Sequence, residues 1–451
     1  MSIVKCKSFC RHFSSIDSLT EPHRFIAILD CLKHITRQIC YSNEKIHVIP
    51  LLMSVLPGID LNDMKKTSVT LDFLNTILMN IICVDCSSAV HNRNDLTDIE
   101  KQVCLSTGQF NDFINELLNR IFHLIDILSA DIYDSDALDA TIQTKFSSIL
   151  FSIVHQSSDD IFRLIQEKMM FFVTGSCLSP QVRSIVSCLV QGLVKGNPME
   201  TLKYFLPKTC ESIINIKSID EKEDIELNWY LSLFVELVRA RGDILVNYKS
   251  MILSVFHHSI HIKNKKTYEI LANATTYLLQ SLCQVYAIDY RLTTDNINEL
   301  SFRAWGHSVD FDQLQVQFHR PNDQEIDFAW EFIDTFLYPE LTLLNDKGLT
   351  ISNNERLRSL TIIESIAIGC ARMVSCIPNE SVQDLGVHSS VPYRSKYQTQ
   401  FPIYSRDRSE TKENLRMRLL TDMEKLLDRL LENHSDDVLS INKTLNVKVN
   451  N

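Results

Sequence analysis

Apolar residues recur along this chain at the spacing of one face of an α-helix, in stripe after stripe. Within each stripe they lie three or four residues apart, which is the pattern of a helix buried on one side. The stripes are Phe25, Ile28, Leu29, Leu32, Ile35, Ile39; Phe110, Phe113, Ile114, Leu117, Leu118, Ile121, Leu124, Ile125, Leu128; Val182, Ile185, Val186, Leu189, Leu193; Leu227, Tyr230, Leu231, Phe234, Leu237, Val238; Leu271, Leu278, Leu279, Leu282; and Leu419, Leu420, Met423, Leu426, Leu427, Leu430. We predict that the buried core includes Leu117, Ile121, Leu189, Phe234 and Leu427.

The distance between successive stripes predicts how these helices are arranged. Helix starts recur about every 20 to 25 residues and helix pairs about every 45, which is the period of HEAT and armadillo repeats. Alternating strand patterns are scarce, and only 10 residues are glycine, so few tight turns are available. The sequence therefore predicts an all-α fold, an α-solenoid of HEAT/armadillo-like helix pairs.

Two segments interrupt this rhythm. Residues 285–324 lack clear periodicity and contain several aromatic residues, so we predict an ordered aromatic loop that braces adjacent repeats. Residues 377–411 carry three prolines among polar residues, which predicts a flexible loop. We predict one continuous helical array over residues 1–435, followed by a polar C-terminal tail at 436–451.

Turn and helix-cap signals are clearest in the first quarter of the chain. Leu-Pro-Gly at 56–58 predicts a turn. A helix should begin after Asp63, which offers an N-cap side chain, and end near Asp85. Thr97 and Glu100 have the spacing of a capping box and predict the start of a further helix.

Composition argues against several classes of protein. No two glycines lie closer than Gly192 and Gly196, and no pair has the Walker A spacing, so the G-x-G and P-loop nucleotide-binding motifs are absent. Val194 excludes a G-x-S-x-G nucleophile elbow between them. The formal net charge of -11 argues against a nucleic-acid partner, which would require a basic face.

Two further features concern the cellular compartment. The N-terminus lacks the apolar core of a signal peptide, and no segment reaches the roughly 18 apolar residues of a membrane span. Thirteen cysteines, an odd number, are typical of reduced thiols used as small apolar side chains. We expect a soluble intracellular protein that does not bind membranes.

Two groups of side chains have the spacing of metal ligands, but neither is complete. Cys83 and Cys86 are not followed by a second pair at zinc-finger distance. Cys6, Cys10 and His12 form a looser group of the same kind. Because two or three ligands do not close a structural zinc site, we predict structural roles for both groups, no metal site, and folding without zinc.

Two charged stretches have alternative interpretations. His257 and His261 share a helical face, but no carboxylate nearby completes a metal set. With the residues around them they form a basic stretch that would complement a helix C-terminus: His257, His258, His261, Lys263, Lys265 and Lys266. An acidic run could attract basic substrate segments, but it is more typical of a solvated loop with first-turn carboxylates: Asp220, Glu221, Glu223, Asp224 and Glu226.

The remaining candidates do not select an active site. Trp229, Trp305 and Trp330 have the character of core anchors rather than a ligand cage. Serines, histidines and carboxylates are scattered, and no spacing selects a catalytic triad. We therefore assign no catalytic residue and leave cofactor-binding residues unassigned.

Several short sequence motifs occur in the order found in one protein family. They are Leu-Pro-Gly-Ile-Asp-Leu-Asn-Asp-Met-Lys-Lys-Thr at 56–67, Asp-Cys-Ser-Ser at 85–88 and Arg-Asn-Asp-Leu-Thr-Asp-Ile-Glu at 93–100. A Trp-Gly loop follows, with Trp305, Gly306, Asp310, Leu314, Gln317, His319 and Pro321, and then a helix ending in Pro339-Glu340-Leu341. Over about residues 20–435 the chain resembles the middle HEAT-repeat region of the proteasome activator complex subunit 4 family. It departs from the family at Phe318, where Trp is usual, and at Ser308 and Val309, which replace Pro-Gly.

The resemblance implies a function by shape. It implies a segment of a non-enzymatic activator that caps the α-ring of the core proteasome without ATP, in the cytoplasm and nucleus. It further implies ubiquitin-independent degradation of peptides and acetylated histones, with links to DNA repair and spermatogenesis. The family's acetyl-lysine module lies outside the matched region, and Asn450 stands where its docking tail has Tyr, so we expect little gate opening by this segment alone. The resemblance also implies an alternative to the helix-end interpretation of the basic stretch at 257–266, which is that it binds an anion such as an inositol polyphosphate; the helix end is the favoured interpretation, and we predict no cofactor.

Two other classes of function stay open at this point. A HEAT-type adaptor for another assembly would have the same sequence pattern, because a fold does not fix a function. A hydrolase with an unrecognised site is disfavoured, since the chain lacks the glycine-rich loops that such sites commonly use.

Overall fold

The computed structural model describes residues 22–60, 62–130, 136–175, 182–216, 224–287, 300–306, 318–347 and 350–370. The contacts of the chain group it into two compact units. Unit 1 lies within Met1–Leu206 and Asp289–Gln315, and unit 2 lies within Pro207–Ile288 and Val316–Asn451. Several predictions fall outside the described residues: the flexible loop, the polar tail, burial of Leu427, the group around Cys6, and most of the acidic run.

Unit 1 consists of helices that pack against one another. The helices are α1 (Pro22–Tyr41), α2 (Val48–Val55), α3 (Met64–Leu78), α4 (Ala89–Asn92), α5 (Asp98–Thr107), α6 (Phe110–Ala130), α7 (Asp136–Gln156), α8 (Asp159–Gly175) and α9 (Arg183–Gly196). Helix α3 packs against α1 and α7, and α7 packs against α9. Helix α6 packs against α2 and α8.

The predicted apolar stripes form the core of unit 1. Leu117, Leu118 and Ile121 on α6 and Leu189 on α9 are all buried, as their spacing predicted. Their burial removes apolar surface from water, which is the main favourable contribution to folding. Short 3-10 turns at Asn43–His47 and Leu56–Gly58 connect the first helices.

Helix α10 (Pro198–Asn215) contains the division between the units. Unit 2 continues with α11 (Ile225–Leu237), α12 (Gly242–Leu245), α13 (Lys249–Ser259), α14 (Lys265–Cys283), α15 (Asp323–Lys347) and α16 (Asn353–Cys370). Helix α14 packs against both α11 and α16. Phe256 on α13 contacts the rings of Phe234 on α11 and Phe332 on α15, at centroid distances of 5.7 and 4.8 Å.

Strand structure is minor in the described part of the chain. Strand β1 (Tyr286–Ala287) pairs antiparallel with β2 (Phe318–His319), with Tyr286 opposite His319. The predicted all-α fold of paired helices is confirmed. Among the described residues, no helix has both the length and the apolar character needed to cross a bilayer.

The helix predicted to end near Asp85 ends at Leu78 instead. Beyond it the backbone is extended and its polar groups bond to distant segments. The Cys83 N–H donates to the Gln156 carbonyl at 2.7 Å, and the Cys83 carbonyl accepts from Ser158 N–H at 3.0 Å. Such pairing across the fold is not visible in local periodicity, so the prediction was wrong.

The helix predicted to end at Pro339-Glu340-Leu341 continues to Lys347. Proline removes one backbone donor from a helix and normally favours a break. Here the next residue, Glu340, is buried and accepts hydrogen bonds from Arg358 and Ser359 on α16. Leu341 and Leu344 are buried as well. These contacts stabilise α15 beyond Pro339, although the proline cannot donate a backbone hydrogen bond.

Candidate functional site

Trp305 anchors a short stretch of unit 1, residues 300–306, that is distant in sequence from the helices around it. We name this stretch the Trp305 segment. Ser301–Ala304 form one 3-10 turn, and the Trp305 side chain after it is fully buried. Its indole N–H donates to the Ile82 carbonyl at 3.1 Å. Its ring meets those of Phe110 and Phe302 edge to face, with centroids 6.0 and 6.4 Å away. The segment is therefore fixed by both a directional bond and aromatic packing.

Gly306 lets this segment approach α1 closely. Its φ of 69° lies in the left-handed region, which glycine adopts without strain. Its N–H donates to the Asn80 carbonyl at 2.9 Å, and its carbonyl accepts from Arg37 Nε at 3.0 Å. A Cβ atom here would lie 2.7 Å from the Arg37 carbonyl oxygen and 2.8 Å from Tyr41 N. Any other residue would push the segment away from α1.

An ion pair completes the attachment of the segment. Arg303 Nε lies 2.7 Å from Glu100 Oε1, on the first turn of α5. The predicted capping box is confirmed there, since Thr97 and Glu100 satisfy each other's backbone N–H groups. Bonding to Arg303 and then to the Thr97 backbone lowers the pKa of Glu100 to about 2. The loop predicted to brace adjacent repeats thus contacts residues about 200 positions earlier.

A second polar group lies in unit 2, where three elements meet. Asp243 belongs to α12, His319 to β2, and Glu325 to the first turn of α15. His319 Nε2 lies 2.7 Å from Glu325 Oε1, and His319 Nδ1 lies 4.0 Å from Asp243 Oδ1. The His319 side chain is 8% exposed and that of Glu325 is 0% exposed. We name Asp243, His319 and Glu325 the acid–imidazole cluster.

Neighbouring residues hold the acid–imidazole cluster in position. Glu325 and Asn322 form a reciprocal N-cap, in which Asn322 N–H donates to Glu325 Oε2 at 2.7 Å. Arg241 binds both oxygens of Asp243, at 3.1 and 2.6 Å. This pairing raises the pKa of Arg241. The three side chains are therefore preorganised by their own elements.

Gly242 and Tyr286 shape the space beside the cluster. A Cβ atom on Gly242 would lie 2.1 Å from Glu325 Oε1. A larger residue would therefore clash with the Glu325 carboxylate in its present position. The Gly242 N–H donates to the Tyr286 hydroxyl at 3.2 Å. Burial raises the pKa of Tyr286, which keeps this hydroxyl neutral. The Tyr286 ring packs 5.1 Å from the imidazole of His319.

The acid–imidazole cluster has the donor atoms of a metal or proton-transfer site. One possible ligand atom from each residue lies within 4.8 Å of the other two. Among the described residues, this is the group of three or more histidine, cysteine, aspartate or glutamate side chains close enough to hold one metal ion. Sequence reasoning noticed His319 only as part of the Trp-Gly loop and missed its two partners. The Asn322-x-x-Glu325 spacing could have placed Glu325 at a helix start. No local signal points to Asp243.

The Cys83 and Cys86 pair has a structural environment. Both thiols are buried, and burial raises the pKa of Cys83 to about 12. Cys83 pairs with Ser157 in an isolated parallel bridge, and Cys86 Sγ lies 3.4 Å from Ser301 Oγ. Neither cysteine joins a group of three ligand atoms in the described part of the chain.

The three histidines of the basic stretch contact different parts of unit 2. The ring of His257 packs 4.9 Å from that of Phe336. His258 Nε2 lies 3.3 Å from the Ile216 carbonyl, and the His261 carbonyl accepts from Arg358 Nη1 at 3.3 Å. The structure does not bring these three imidazoles together as ligands of one ion.

The lysines that follow lie near carboxylates. Lys263 Nζ is 3.2 Å from Glu355 Oε1, and Lys265 Nζ is 3.8 Å from Glu269 Oε1. Exposed pairs of this type contribute little to stability. They do, however, neutralise part of the positive charge that an anionic ligand would require. Binding of an inositol polyphosphate here stays a prediction.

The other candidate residues are mainly structural. Asp224 and Glu226 are the described members of the acidic run; Asp224 caps α11 by accepting from Leu227 N–H at 3.0 Å, and Glu226 lies in the first turn of that helix. Trp229 and Trp305 are buried, as predicted for core anchors, and Trp330 is half-buried.

Comparison with known proteins identifies the family. A family model described as "Proteasome activator complex subunit 4, mid HEAT repeats region" matches residues 4–374. Proteasome activator complex subunit 4A of Danio rerio is 30% identical over 455 residues, covering 95% of this chain and 24% of the relative. Proteasome activator complex subunit 4 of Homo sapiens is 29% identical, covering 96% and 24%. That of Bos taurus is 30% identical, covering 96% and 25%.

The chain spans about a quarter of the length of these curated relatives. The matched model covers all of the described helices of both units. The chain therefore belongs to the proteasome activator complex subunit 4 family, within its mid HEAT-repeat region.

Proposed function

We propose that this chain is a non-enzymatic segment of an ATP-independent proteasome activator that caps the α-ring of the core proteasome. The observation that carries this proposal is the family match over residues 4–374. The matched relatives are named proteasome activators, and a segment of the same region is expected to serve the same assembly.

The packing of the described helices supports a role by shape. The apolar faces of α3, α6 and α7 are turned inward, and the Trp305 segment fastens the surface of unit 1. Each unit thus has its own well-packed core, which gives a shell the stiffness to hold other parts of an activator in place. The chemistry of peptide cleavage belongs in this proposal to the proteasome.

The finer parts of the proposal concern substrates and compartment. We place the activity in the cytoplasm and nucleus, with ubiquitin-independent degradation of peptides and acetylated histones and a connection to DNA repair. Acetyl-lysine recognition would come from other regions of the longer relatives. An inositol polyphosphate at the basic stretch would have to displace Glu355 from Lys263, whose side-chain atoms lie 3.2 Å apart.

A pull-down separates this proposal from a HEAT adaptor of another assembly. A chimera would carry this chain in place of the mid HEAT-repeat region of the human relative and would be incubated with purified core proteasome. We expect the core proteasome to be retained at the level of the unaltered relative. Retention at the level of bare resin, by a chimera that circular dichroism shows to be folded, would favour the adaptor.

A matched pair of glycine variants tests whether shape is what matters. Gly306→Ala should weaken retention because its Cβ would collide with the backbone of α1. Gly175→Ala is the control, since a Cβ there has no neighbour within 4 Å. Equal retention by both chimeras would show that the attachment of the Trp305 segment is irrelevant to assembly.

A further inference from the structure

We propose that the solvent-facing side of helix α15 binds a basic peptide segment of a partner protein, rich in arginine and lysine and extended along the helix axis. Six side chains define this side, which we name the acidic–aromatic face: Asp323, Asp327, Trp330, Glu331, Asp334 and Tyr338. The face lies within unit 2. The proposal is independent of the role in proteasome activation, since it concerns a further partner.

The helical repeat places these side chains on one side of α15. From Asp323 to Tyr338 the members follow one another at steps of three or four residues, with Trp330 beside Glu331, and residues so spaced are neighbours on a helix surface. The four carboxylate residues are exposed and the two aromatic residues are half-buried. The opposite side of the helix is buried: Phe328, Ala329, Phe332, Ile333, Phe336 and Leu337. Packing against α14 and α16 therefore leaves the acidic–aromatic face to solvent.

The negative charge of this face is neutralised only in part. Glu331 pairs with Lys249 on α13. Asp327 and Asp334 take part in no ion pair within the residues that the structure describes. Helix α15 itself contains no lysine or arginine before Lys347, its last residue. A positively charged ligand that approaches this face is therefore attracted by carboxylates without cationic partners.

The arrangement is unfavourable for the helix alone. Asp323, Asp327 and Glu331 follow one another at intervals of four residues, and like charges at this spacing repel. The helix dipole favours acidic residues only in the first turn, which accounts for Asp323 but not for Asp327 or Asp334. Aspartate also has a lower helix propensity than most residues. A basic ligand would replace this repulsion by attraction.

Trp330 gives the face an aromatic surface for a cation. Its side chain is half-buried, whereas Trp229 and Trp305 are buried. Among the described residues its indole makes no hydrogen bond and no ring contact. Tryptophan is the best aromatic partner of a lysine or arginine side chain placed over the ring. Because Asp327 and Asp334 lie one turn before and one turn after Trp330, a cation over the indole would also be close to carboxylates.

The spacing of the carboxylates selects an extended peptide. Side chains four residues apart on an α-helix are separated by about 6 Å along its axis. Alternate side chains of an extended chain point in the same direction and lie about 6.6 Å apart. A peptide with a basic residue at every second position would therefore keep its charges in step with the carboxylates. We infer that such a peptide lies along α15.

Fluorescence anisotropy with the full chain tests the proposal. The probe is a fluorescein-labelled peptide of four Arg-Ser repeats, and the comparison is a peptide of four Glu-Ser repeats. We expect saturable binding of the arginine peptide alone, and this binding should weaken as salt is added because salt screens exposed charges. The absence of saturable binding by the arginine peptide would overturn the proposal.

A pair of double variants locates the binding. Asp327→Asn with Asp334→Asn should weaken binding of the arginine peptide about 3- to 20-fold, since each exposed charge pair contributes modestly. The control is Asp160→Asn with Glu167→Gln, which removes two exposed carboxylates from α8 and should leave the affinity unchanged. Circular dichroism checks that both variants are folded. An equal loss in both would mean that the peptide responds to net charge alone, which would contradict a site on α15.

Trp330→Leu tests the aromatic contact at constant net charge. Leucine keeps an apolar side chain at this half-buried position but removes the ring, so the affinity should fall about 2- to 5-fold. A peptide of four arginines followed by four serines tests the extended register, and it should bind less tightly than the alternating peptide. Unchanged affinity in the variant would refute the cation contact, and equal affinity of the two peptides would refute the register.

A second copy of this chain is the competing occupant of the face. Sedimentation velocity of the wild-type chain and of Trp330→Leu distinguishes it. We expect the same sedimentation coefficient for both proteins at every concentration. Self-association that is lost in Trp330→Leu, by a chain that binds no arginine peptide, would assign the face to a second copy and contradict the proposal.

Discussion

The indole N–H of Trp305 donates a hydrogen bond to the carbonyl of Ile82, a residue 223 positions earlier in the chain, at 3.1 Å. Ile82 lies in the extended stretch that follows α3. In a continued helix its carbonyl would accept a backbone N–H of the same helix instead of the indole N–H. Asn80, two residues before Ile82, accepts from Gly306 in the same way. The early end of α3 and the burial of the Trp-Gly pair are thus one structural arrangement.

Trp305→Ala should destabilise unit 1 strongly. The side chain is 0% exposed, and large-to-small replacement of a buried aromatic residue costs about 3 to 5 kcal/mol. Urea denaturation followed by circular dichroism measures the change. Trp330→Ala, at a half-buried position, should cost clearly less. An equal loss for both would show that Trp305 has no special role.

Leu118→Ala tests the core of α6. Leu118 is 2% exposed, so the lost apolar contact and the resulting cavity should lower the free energy of unfolding by about 2 to 5 kcal/mol. Leu105→Ala provides the comparison, because Leu105 is 57% exposed and surface changes usually stay within about 0.5 kcal/mol. A small effect at Leu118 would place that face of the helix outside the core.

Gly306→Ala should lower the melting temperature of the chain, whereas Gly175→Ala should leave it nearly unchanged. The first substitution forces a positive φ on alanine and a contact of 2.7 Å with backbone. The second meets open space at the end of α8. Thermal unfolding of both variants in one buffer gives the comparison, and matching melting temperatures would refute the close approach.

Stability should decline in acid partly through Glu100. Its pKa is about 2 in the folded chain, below the usual 4.5, so its contribution is present above pH 4.5 and is lost as the pH falls toward 2. Glu100→Gln should therefore be less stable at neutral pH and lose less on acidification over this range. Both proteins keep Asp95, whose pKa is also about 2, so the difference isolates Glu100. Parallel pH profiles of the urea midpoint would contradict the ion pair.

Local patterns predicted the features whose cause is local. The burial of Leu117 and Phe234 followed from helical spacing, and the capping box from Thr97 and Glu100 alone. Helix α15 passed Pro339 because Arg358 and Ser359 bind Glu340 from another helix. No pattern within α15 contains that information.

The candidate site shows the same limit more sharply. His319 and Glu325 are six residues apart, and their contact is compatible with a strand followed by a helix start. Asp243 approaches His319 from α12, and the pairing of β1 with β2 places Tyr286 opposite His319. The register of two short strands joined by a long connection is set by tertiary packing. The sequence could therefore suggest half of the acid–imidazole cluster at most.

The most direct test of the central claim is stimulation of the core proteasome without ATP. Since the chain spans about a quarter of its relatives, the 451-residue protein alone should bind weakly and stimulate fluorogenic peptide hydrolysis little. The chimera that places it within the human relative should restore stimulation in ATP-free buffer, and mutation of the tyrosine in the tail of that relative should abolish it. A folded chimera that gives no stimulation, or full stimulation by the isolated chain, would contradict the account of this protein as one segment of a proteasome activator.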